Sequence, residues 1–113
     1  MKVKDIIEKL GLRILTAPDR LDVEASGGYS SDLLSDVMAN SRERNLWITL
    51  QIHENIVAVA RLRNLAAVIL VNNRAPEPLT LKRAEEEHIP LLSTAEPAFI
   101  IAGKLYALLG AKD

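Results

Sequence analysis

The feature that most constrains the fold is a regular alternation of short apolar runs and helical segments from Leu46 onward. The pattern predicts strands over 46–50, 66–71 and 89–93, and helices over 54–63, 79–87 and 96–109. Such alternation is typical of βαβ units, in which successive strands are parallel. The runs at 47–50 and 67–71 are almost continuously apolar, as expected when helices cover both faces of a sheet. We therefore predict an α/β fold with a small, mainly parallel sheet.

The amino-terminal part predicts a helix over 3–10 that ends at Gly11, because its apolar residues recur at helical spacing. Two short strands over 12–15 and 21–25 are predicted around a turn at 17–19, both at one end of the sheet. A second helix, capped by Ser30 or Ser31, is expected to run to Asn40.

Composition excludes several classes of protein. With 113 residues, one domain over 1–113 is expected, and 14 basic against 15 acidic residues leave no charge excess for nucleic acid. The chain has no cysteine and only two histidines, far apart in sequence, so we predict no disulfide, no metal site and no cofactor. Its apolar runs are too short for a membrane span and its first residues are charged, so a cytoplasmic protein is expected.

Polar residues follow each predicted core strand, where ligands bind in open parallel sheets. Helices starting at Asn55 and Ala95 would also direct free N–H groups toward an anion. The alternative is that these residues only form loops and helix caps. The predicted ligand-binding residues are Gln51, His53, Asn55, Asn72, Asn73, Ser93 and Thr94.

His53 is the side chain best suited to proton transfer, and a small hydrolase or transferase with His53 as general base is one alternative. Ser30 or Ser31, with Asp32 or Asp36, would supply the other residue types of a hydrolytic triad. No G-x-S-x-G motif is present, however, so we predict no enzyme.

The glycine pair at 27–28 precedes a predicted helix, which is a geometry that can hold phosphate. The residues of this possible phosphate turn are Gly27, Gly28, Ser30 and Ser31. They match no known phosphate-loop motif, so a tight turn with a serine cap is the preferred interpretation.

The helix over 56–62 is apolar around most of its circumference, which indicates that something covers it on more than one side. Either the amino-terminal elements cover it, or a second copy of the chain does so in a homodimer. We favour the homodimer, with Ile56, Val59, Ala60 and Leu62 as its contact residues.

Three segments, GGYSSDLL at 27–34, WITLQIHENIVAVA at 47–60 and IPLLST at 89–94, together resemble the DRTGG domain family. The resemblance covers residues 1–109. It implies the three-layer α/β/α fold of the amino-terminal domain of HPr kinase/phosphorylase. It also implies association through this domain. Members of the family are regulatory domains of phosphotransacetylases and, between paired CBS domains, of inorganic pyrophosphatases; others stand alone.

The residues that give that family its name are absent. His53-Glu54 stands where we place the family's Asp-Arg, and Val71-Asn72-Asn73 stands where we place its Thr-Gly-Gly. No family site residue is therefore carried over to this chain.

These observations together predict a non-catalytic regulatory or ligand-sensing domain. Its ligand would be small and polar, phosphorylated or a nucleotide, and bound at the carboxyl ends of the strands. It would act through dimerisation or through a partner enzyme. A pure assembly subunit, whose crevice is filled by its own side chains, is the other alternative.

Overall fold

The chain begins with a short amphipathic helix that ends at a glycine. A computed structural model describes residues 1–110. Helix α1 (Val3–Leu10) buries Val3 and Ile6, and Gly11 ends it with a φ of 66°. Glycine adopts this left-handed conformation easily because it has no Cβ. The predicted first helix is confirmed.

Strands and helices alternate through the remainder of the described residues. Strand β1 (Arg13–Ile14), a 3-10 turn (Pro18–Arg20) and strand β2 (Gly27–Ser30) follow α1. The later elements are α2 (Leu34–Asn40), β3 (Asn45–Thr49), α3 (Asn55–Leu62), β4 (Ala67–Leu70), α4 (Pro78–Glu86), β5 (Leu91–Ser93) and α5 (Ala98–Leu109). The predicted alternation from Leu46 onward is confirmed, with boundaries shifted by only a residue or two.

The strands of residues 1–110 form one mainly parallel sheet in the order β1-β5-β4-β3-β2. Strands β2, β3, β4 and β5 are parallel to one another, and β1 is antiparallel to β5. Pro90 lies just before β5, where its missing N–H removes no bond from the strand itself. The predicted mainly parallel sheet is therefore confirmed.

Helices pack on both faces of this sheet. One apolar core joins α1 and α5 to one face, and includes Ile6, Leu46, Ile69 and Ile101. The other core joins α2, α3 and α4 to the opposite face, and includes Val37, Trp47, Ile56, Val68 and Ala84. Side chains of successive strand residues alternate between the two cores, as the pleat requires. The three-layer α/β/α fold is confirmed.

The predicted strand over 21–25 is wrong. Its backbone instead crosses the start of α1, where the N–H groups of Val3 and Lys4 donate to the carbonyls of Val23 and Leu21 at 2.9 and 3.0 Å. Only an isolated bridge between Lys2 and Glu24 has strand geometry here. Of its alternating apolar residues, Ala25 is buried and Leu21 partly buried, whereas Val23 is 36% exposed.

Strand β2 begins with Gly27 and Gly28, the glycine pair for which the sequence predicted a turn. Gly27 to Ser30 pair with β3 at the far edge of the sheet, not beside β1. A Cβ atom at Gly28 would lie 2.7 Å from Leu105 Cδ2 of α5. Glycine is used here, despite its low strand propensity, because α5 packs directly on the strand.

Helix α5 is 12 residues long and rich in apolar side chains. In the part of the chain that the structure describes, no helix has the combination of length and apolar character needed to cross a membrane.

Candidate functional site

The carboxyl ends of the parallel strands lie side by side at one edge of the sheet, called the carboxyl edge below. Thr49 of β3 pairs with Leu70 of β4, and Leu70 pairs with Ser93 of β5. Because β1 runs antiparallel to β5, its first residue, Arg13, lies opposite Ser93. The edge where α/β sheets bind ligands thus also carries a cation.

Arg13 connects several of the predicted ligand-binding residues. Its Nε–H donates to Ser93 Oγ at 3.1 Å, and a terminal N–H donates to the side-chain oxygen of Asn73. The N–H of Asn73 donates to the carbonyl oxygen of Thr94 at 2.8 Å, and Asn72 precedes it in the same loop. The structure therefore brings Asn73 and Ser93 into contact with one guanidinium, while Thr94 bonds to the Asn73 backbone and Asn72 adjoins it in the loop.

Sequence reasoning missed Arg13 itself. The pairing of β1 with β5 joins residues that are 80 positions apart, and nothing in the local pattern at 12–15 indicates it. A polar residue in an otherwise apolar short strand was the available signal.

Asn72 and Asn73 both have left-handed backbone conformations, with φ angles of 57° and 56°. Glycine adopts this region most easily, and asparagine is among the few other residues that tolerate it. The family resemblance places a glycine pair at these two positions. The backbone of the loop therefore suits that alignment, although the residues differ.

Gln51 belongs to a second group of polar residues, centred on Asp32. The Asp32 carboxylate accepts hydrogen bonds from Thr49 Oγ at 2.8 Å and from the N–H of Leu50 at 2.7 Å. The Gln51 amide donates to the carbonyl oxygen of Asp32 at 2.8 Å. Within residues 1–110, no side-chain hydrogen bond connects this group to Arg13. Gln51 therefore holds the loop after β3 in place.

His53 is exposed and takes part in the start of α3. Its Nδ1 accepts a hydrogen bond from the N–H of Asn55 at 3.1 Å. Across the described residues, no hydrogen bond joins His53 to a serine hydroxyl or to a carboxylate. The serine and carboxylate partners that the triad hypothesis requires are therefore not hydrogen-bonded to His53 within residues 1–110.

Ser31 and Asp36, two members of the hypothetical triad, form other hydrogen bonds. Ser31 Oγ accepts from the N–H of Leu33 at 3.1 Å, and Asp36 accepts from Asn40 and from the Tyr29 hydroxyl, both at 2.8 Å. The bonds from Asn40 and Tyr29 lower the pKa of Asp36, and the bond to Asp36 raises the pKa of Tyr29. The bond between Tyr29 and Asp36 attaches α2 to β2.

The possible phosphate turn is wrong. Gly27, Gly28 and Ser30 belong to extended strand β2, and Ser31 follows it. Successive N–H groups of a strand point to opposite sides, so they cannot converge on one anion. Nor does any group of three acidic or histidine side chains with metal-binding geometry occur in residues 1–110.

The residues predicted to form the dimer contact lie mainly inside the protomer. Ile56, Val59 and Ala60 are buried against the sheet and the neighbouring helices, so they are not available to a second copy. Leu62 alone of the four is exposed, with 71% of its surface accessible. The apolar circumference of α3 is explained by α2 and α4, which flank it on the same face.

A different apolar surface is exposed, and we call it the β2–α5 face: Gly28, Tyr29 and Ser30 of β2, with Phe99 and Tyr106 of α5. Phe99 is 86% and Tyr106 is 63% exposed. A cavity of 340 Å³ lies between the strand and the helix. Since β2 ends the sheet, its outer edge pairs with no other strand of residues 1–110.

Of three comparisons with known proteins, the one with solved structures supports the fold. No protein-family model matches the sequence, and no curated protein matches it either. Among solved structures, the chain is similar to the regulatory region of Clostridium perfringens pyrophosphatase, which contains CBS and DRTGG domains and is complexed with its activator, diadenosine tetraphosphate. The TM-score is 0.72 at 14% identity. The match covers 91% of this chain and 44% of that one, so the chain spans less than half of that region. It supports a DRTGG-like fold; family membership stays a prediction.

Proposed function

We propose that this chain is a cytoplasmic regulatory module that senses a small anionic ligand, phosphorylated or a nucleotide, without catalysing a reaction. The observation that carries the proposal is the guanidinium of Arg13 at the carboxyl edge, held by Ser93 and Asn73. A planar guanidinium suits phosphate oxygens because it donates two parallel hydrogen bonds. The hydroxyl and amide groups beside it would add neutral donors.

Two further observations support a sensing role over catalysis. His53, the best general base by residue type, is hydrogen-bonded to the start of α3 and has no catalytic partner in residues 1–110. The similar structure is a regulatory region complexed with a nucleotide activator. We infer the same class of role and of ligand for this chain.

A thermal-shift and calorimetric screen with nucleotides and phosphorylated metabolites tests the proposal. A ligand at 100 times its Kd should stabilise the protein by about 2.7 kcal/mol. Arg13→Gln should weaken binding by about tenfold or more, and Arg13→Lys by less, because a lysine keeps the charge without the planar donors. Lys82→Gln, on the exposed surface of α4, is the matched control and should bind as the wild type does. A screen without any hit would refute the proposal.

Assembly is the second candidate function, and the β2–α5 face favours it. We propose that a second copy of the chain covers this face around a twofold axis. Two free strand edges pair with each other readily, and the face carries no charge among its five defining residues, so two copies would not repel each other. Asp32, just after β2, holds the loop after β3. A dimer contact at β2 would therefore adjoin the carboxyl edge.

A further inference from the structure

A second cavity lies at the opposite edge of the sheet, where the parallel strands begin. Its volume is 320 Å³. Its lining includes Arg44, Ala66 and Pro90, which directly precede the starts of β3, β4 and β5. We call it the amino-edge cavity; its polar lining residues are Arg20, Arg44, Arg61, Asn64, Glu87 and His88. It is separated from Arg13 by the length of the strands.

Positive charge from several chain segments converges on this cavity. Arg20 ends the 3-10 turn, Arg44 precedes β3, and Arg61 lies in the last turn of α3. Glu87, the acidic lining residue, forms an ion pair with Arg61. Throughout the described part of the chain, Arg20 and Arg44 have no ion-pair partner. The cavity therefore has a net positive charge in a protein whose overall charge is -1.

The ends of the helices do not account for these two arginines. Cations often lie in the last turn of a helix because its carbonyl end is negative, and that explains Arg61 at the end of α3. Arg20 and Arg44 lie in connecting segments, outside the last turn of any α-helix of residues 1–110. Their position at one cavity thus requires another explanation.

Arg44 is also kept in a conformation that an arginine adopts reluctantly. Its φ is 63°, in the left-handed region that favours glycine, and its N–H donates to the carbonyl of Asn64 at 2.8 Å. A side chain in this region costs about 1 kcal/mol relative to glycine. A glycine would adopt this backbone conformation more easily than an arginine. The conformation therefore does not explain the arginine, and we attribute its presence to the guanidinium group.

Apolar side chains form part of the cavity wall: Val23 is 36% exposed, and the buried Leu65, Ile89 and Pro90 also line it. We propose that the amino-edge cavity binds a small phosphorylated molecule, whose phosphate contacts Arg20 and Arg44 and whose apolar part packs on this wall. This site is additional to the carboxyl edge and lies at the other end of the strands. Its combination of cations and apolar surface favours a phosphate ester over free phosphate.

Titration with phenyl phosphate, followed by amide chemical shifts and calorimetry, tests this inference. Inorganic phosphate and benzyl alcohol are the ligand controls, since each lacks one half of the probe. We expect phenyl phosphate to bind more tightly than either, and to shift the amide signals of Arg44, Asn64 and His88. Arg20→Gln and Arg44→Gly should each weaken its binding by about tenfold.

The Arg44→Gly variant distinguishes a specific loss of phenyl phosphate binding from a loss of binding caused by unfolding. Because glycine suits the φ of this position, the variant should melt at the same temperature as the wild type or higher. Lys82→Gln, on the exposed surface of α4 and outside the lining of this cavity, should leave phenyl phosphate binding to the amino-edge cavity unchanged. No binding to the wild type at about 10 mM would overturn the inference. Binding that Arg13→Gln abolishes and Arg44→Gly does not would overturn it too, while supporting the site at the carboxyl edge.

Discussion

At the scale of single residues, the loop after β4 requires residues that tolerate a left-handed backbone conformation, and the chemistry of their side chains matters less. Asn72 and Asn73 both have positive φ angles, but only the side chain of Asn73 contacts Arg13. Asn72 therefore contributes mainly its tolerance of a left-handed conformation. A glycine could replace it, whereas a residue with an ordinary Cβ could not do so without strain.

The first prediction concerns this difference. Asn72→Gly should keep the free energy of unfolding within a few tenths of a kcal/mol, and Asn72→Ala should lower it by about 1 kcal/mol. Urea denaturation followed by the fluorescence of the buried Trp47 measures both. Equal destabilisation by the two substitutions would show that the amide side chain, and not the backbone, stabilises the loop.

The polar residues that follow the core strands predict where the candidate site lies, but they do not predict all of the residues in it. Polar residues after apolar strands point to the carboxyl edge, because the carboxyl ends of parallel strands meet there; binding at this edge stays a prediction. Arg13 could not be predicted, because its role depends on a strand pairing with residues far along the chain. The left-handed conformations at Arg44 and Asn64 could not be predicted either, since neither residue type requires them.

At the scale of elements, the contact between β2 and α5 decides which side chains the edge strand can carry. Gly28 lies against Leu105, a residue of α5 whose side chain is buried in the core between this helix and the sheet. Gly103, on the outer side of the same helix, is different, because a Cβ added there would meet no atom within 4 Å. Gly28 is therefore required by close packing, whereas a side chain at Gly103 would have room in the solvent.

The second prediction uses this pair. Gly28→Val should lower the free energy of unfolding by about 1 to 3 kcal/mol, because its side chain overfills the contact with Leu105. Gly103→Ala should raise it by up to about 1 kcal/mol, because alanine favours a helix interior. Thermal and urea denaturation measure both variants. A neutral Gly28→Val would mean that α5 can move away from β2 at little cost.

The third prediction concerns the attachment of α2 to β2 through Asp36. Hydrogen bonds from Asn40 and Tyr29 lower the pKa of Asp36 in the folded state. A lowered pKa stabilises the fold above the unfolded value of about 3.9, and this contribution is lost as the pH falls through the folded pKa. Wild type should thus be more stable than Asp36→Asn at neutral pH, and the difference should shrink between about pH 5 and pH 3. A constant difference would exclude this role for the ionised carboxylate.

Sequence patterns predict the elements best where burial and periodicity agree. The buried strands β3 and β4 are predictable because both of their faces are apolar. The segment at 21–25 resembles a strand in sequence because its apolar and polar residues alternate, but its backbone bonds to the start of α1 and Val23 stays exposed. Strand β2 escapes prediction because its glycines reflect close packing under α5, which no local pattern reveals.

At the scale of the whole molecule, the surface proposed for self-association differs from the one that the sequence indicates. The apolar side chains of helix α3 are distributed around most of its circumference, which suggests an interface. Most of them are nevertheless buried within the same protomer. Helix α5 is apolar as well, and there the outer side chains, Phe99 and Tyr106, lie in solvent. Periodicity cannot distinguish the two cases, because both helices lack a clear polar face.

The fourth prediction tests the dimer at this surface. Tyr106→Glu should convert a dimer to a monomer at micromolar concentration, because it introduces two like charges near the twofold axis. Leu62→Glu, at the exposed residue of the interface that the sequence predicts, is the control and should leave the dimer intact. Sedimentation velocity measures both. A wild-type monomer, or a dimer that only Leu62→Glu disrupts, would refute the β2–α5 interface.

The pairing of β1 with β5 also has a consequence for biosynthesis. Arg13 leaves the ribosome long before Ser93, its partner 80 residues later, has been translated. The first strand therefore remains without its partner until β5 has emerged, and the contacts of Arg13 at the carboxyl edge form only then. If the proposed anion site is correct, a product truncated before β5 would lack the Ser93 contact that holds Arg13, and would bind the anion poorly.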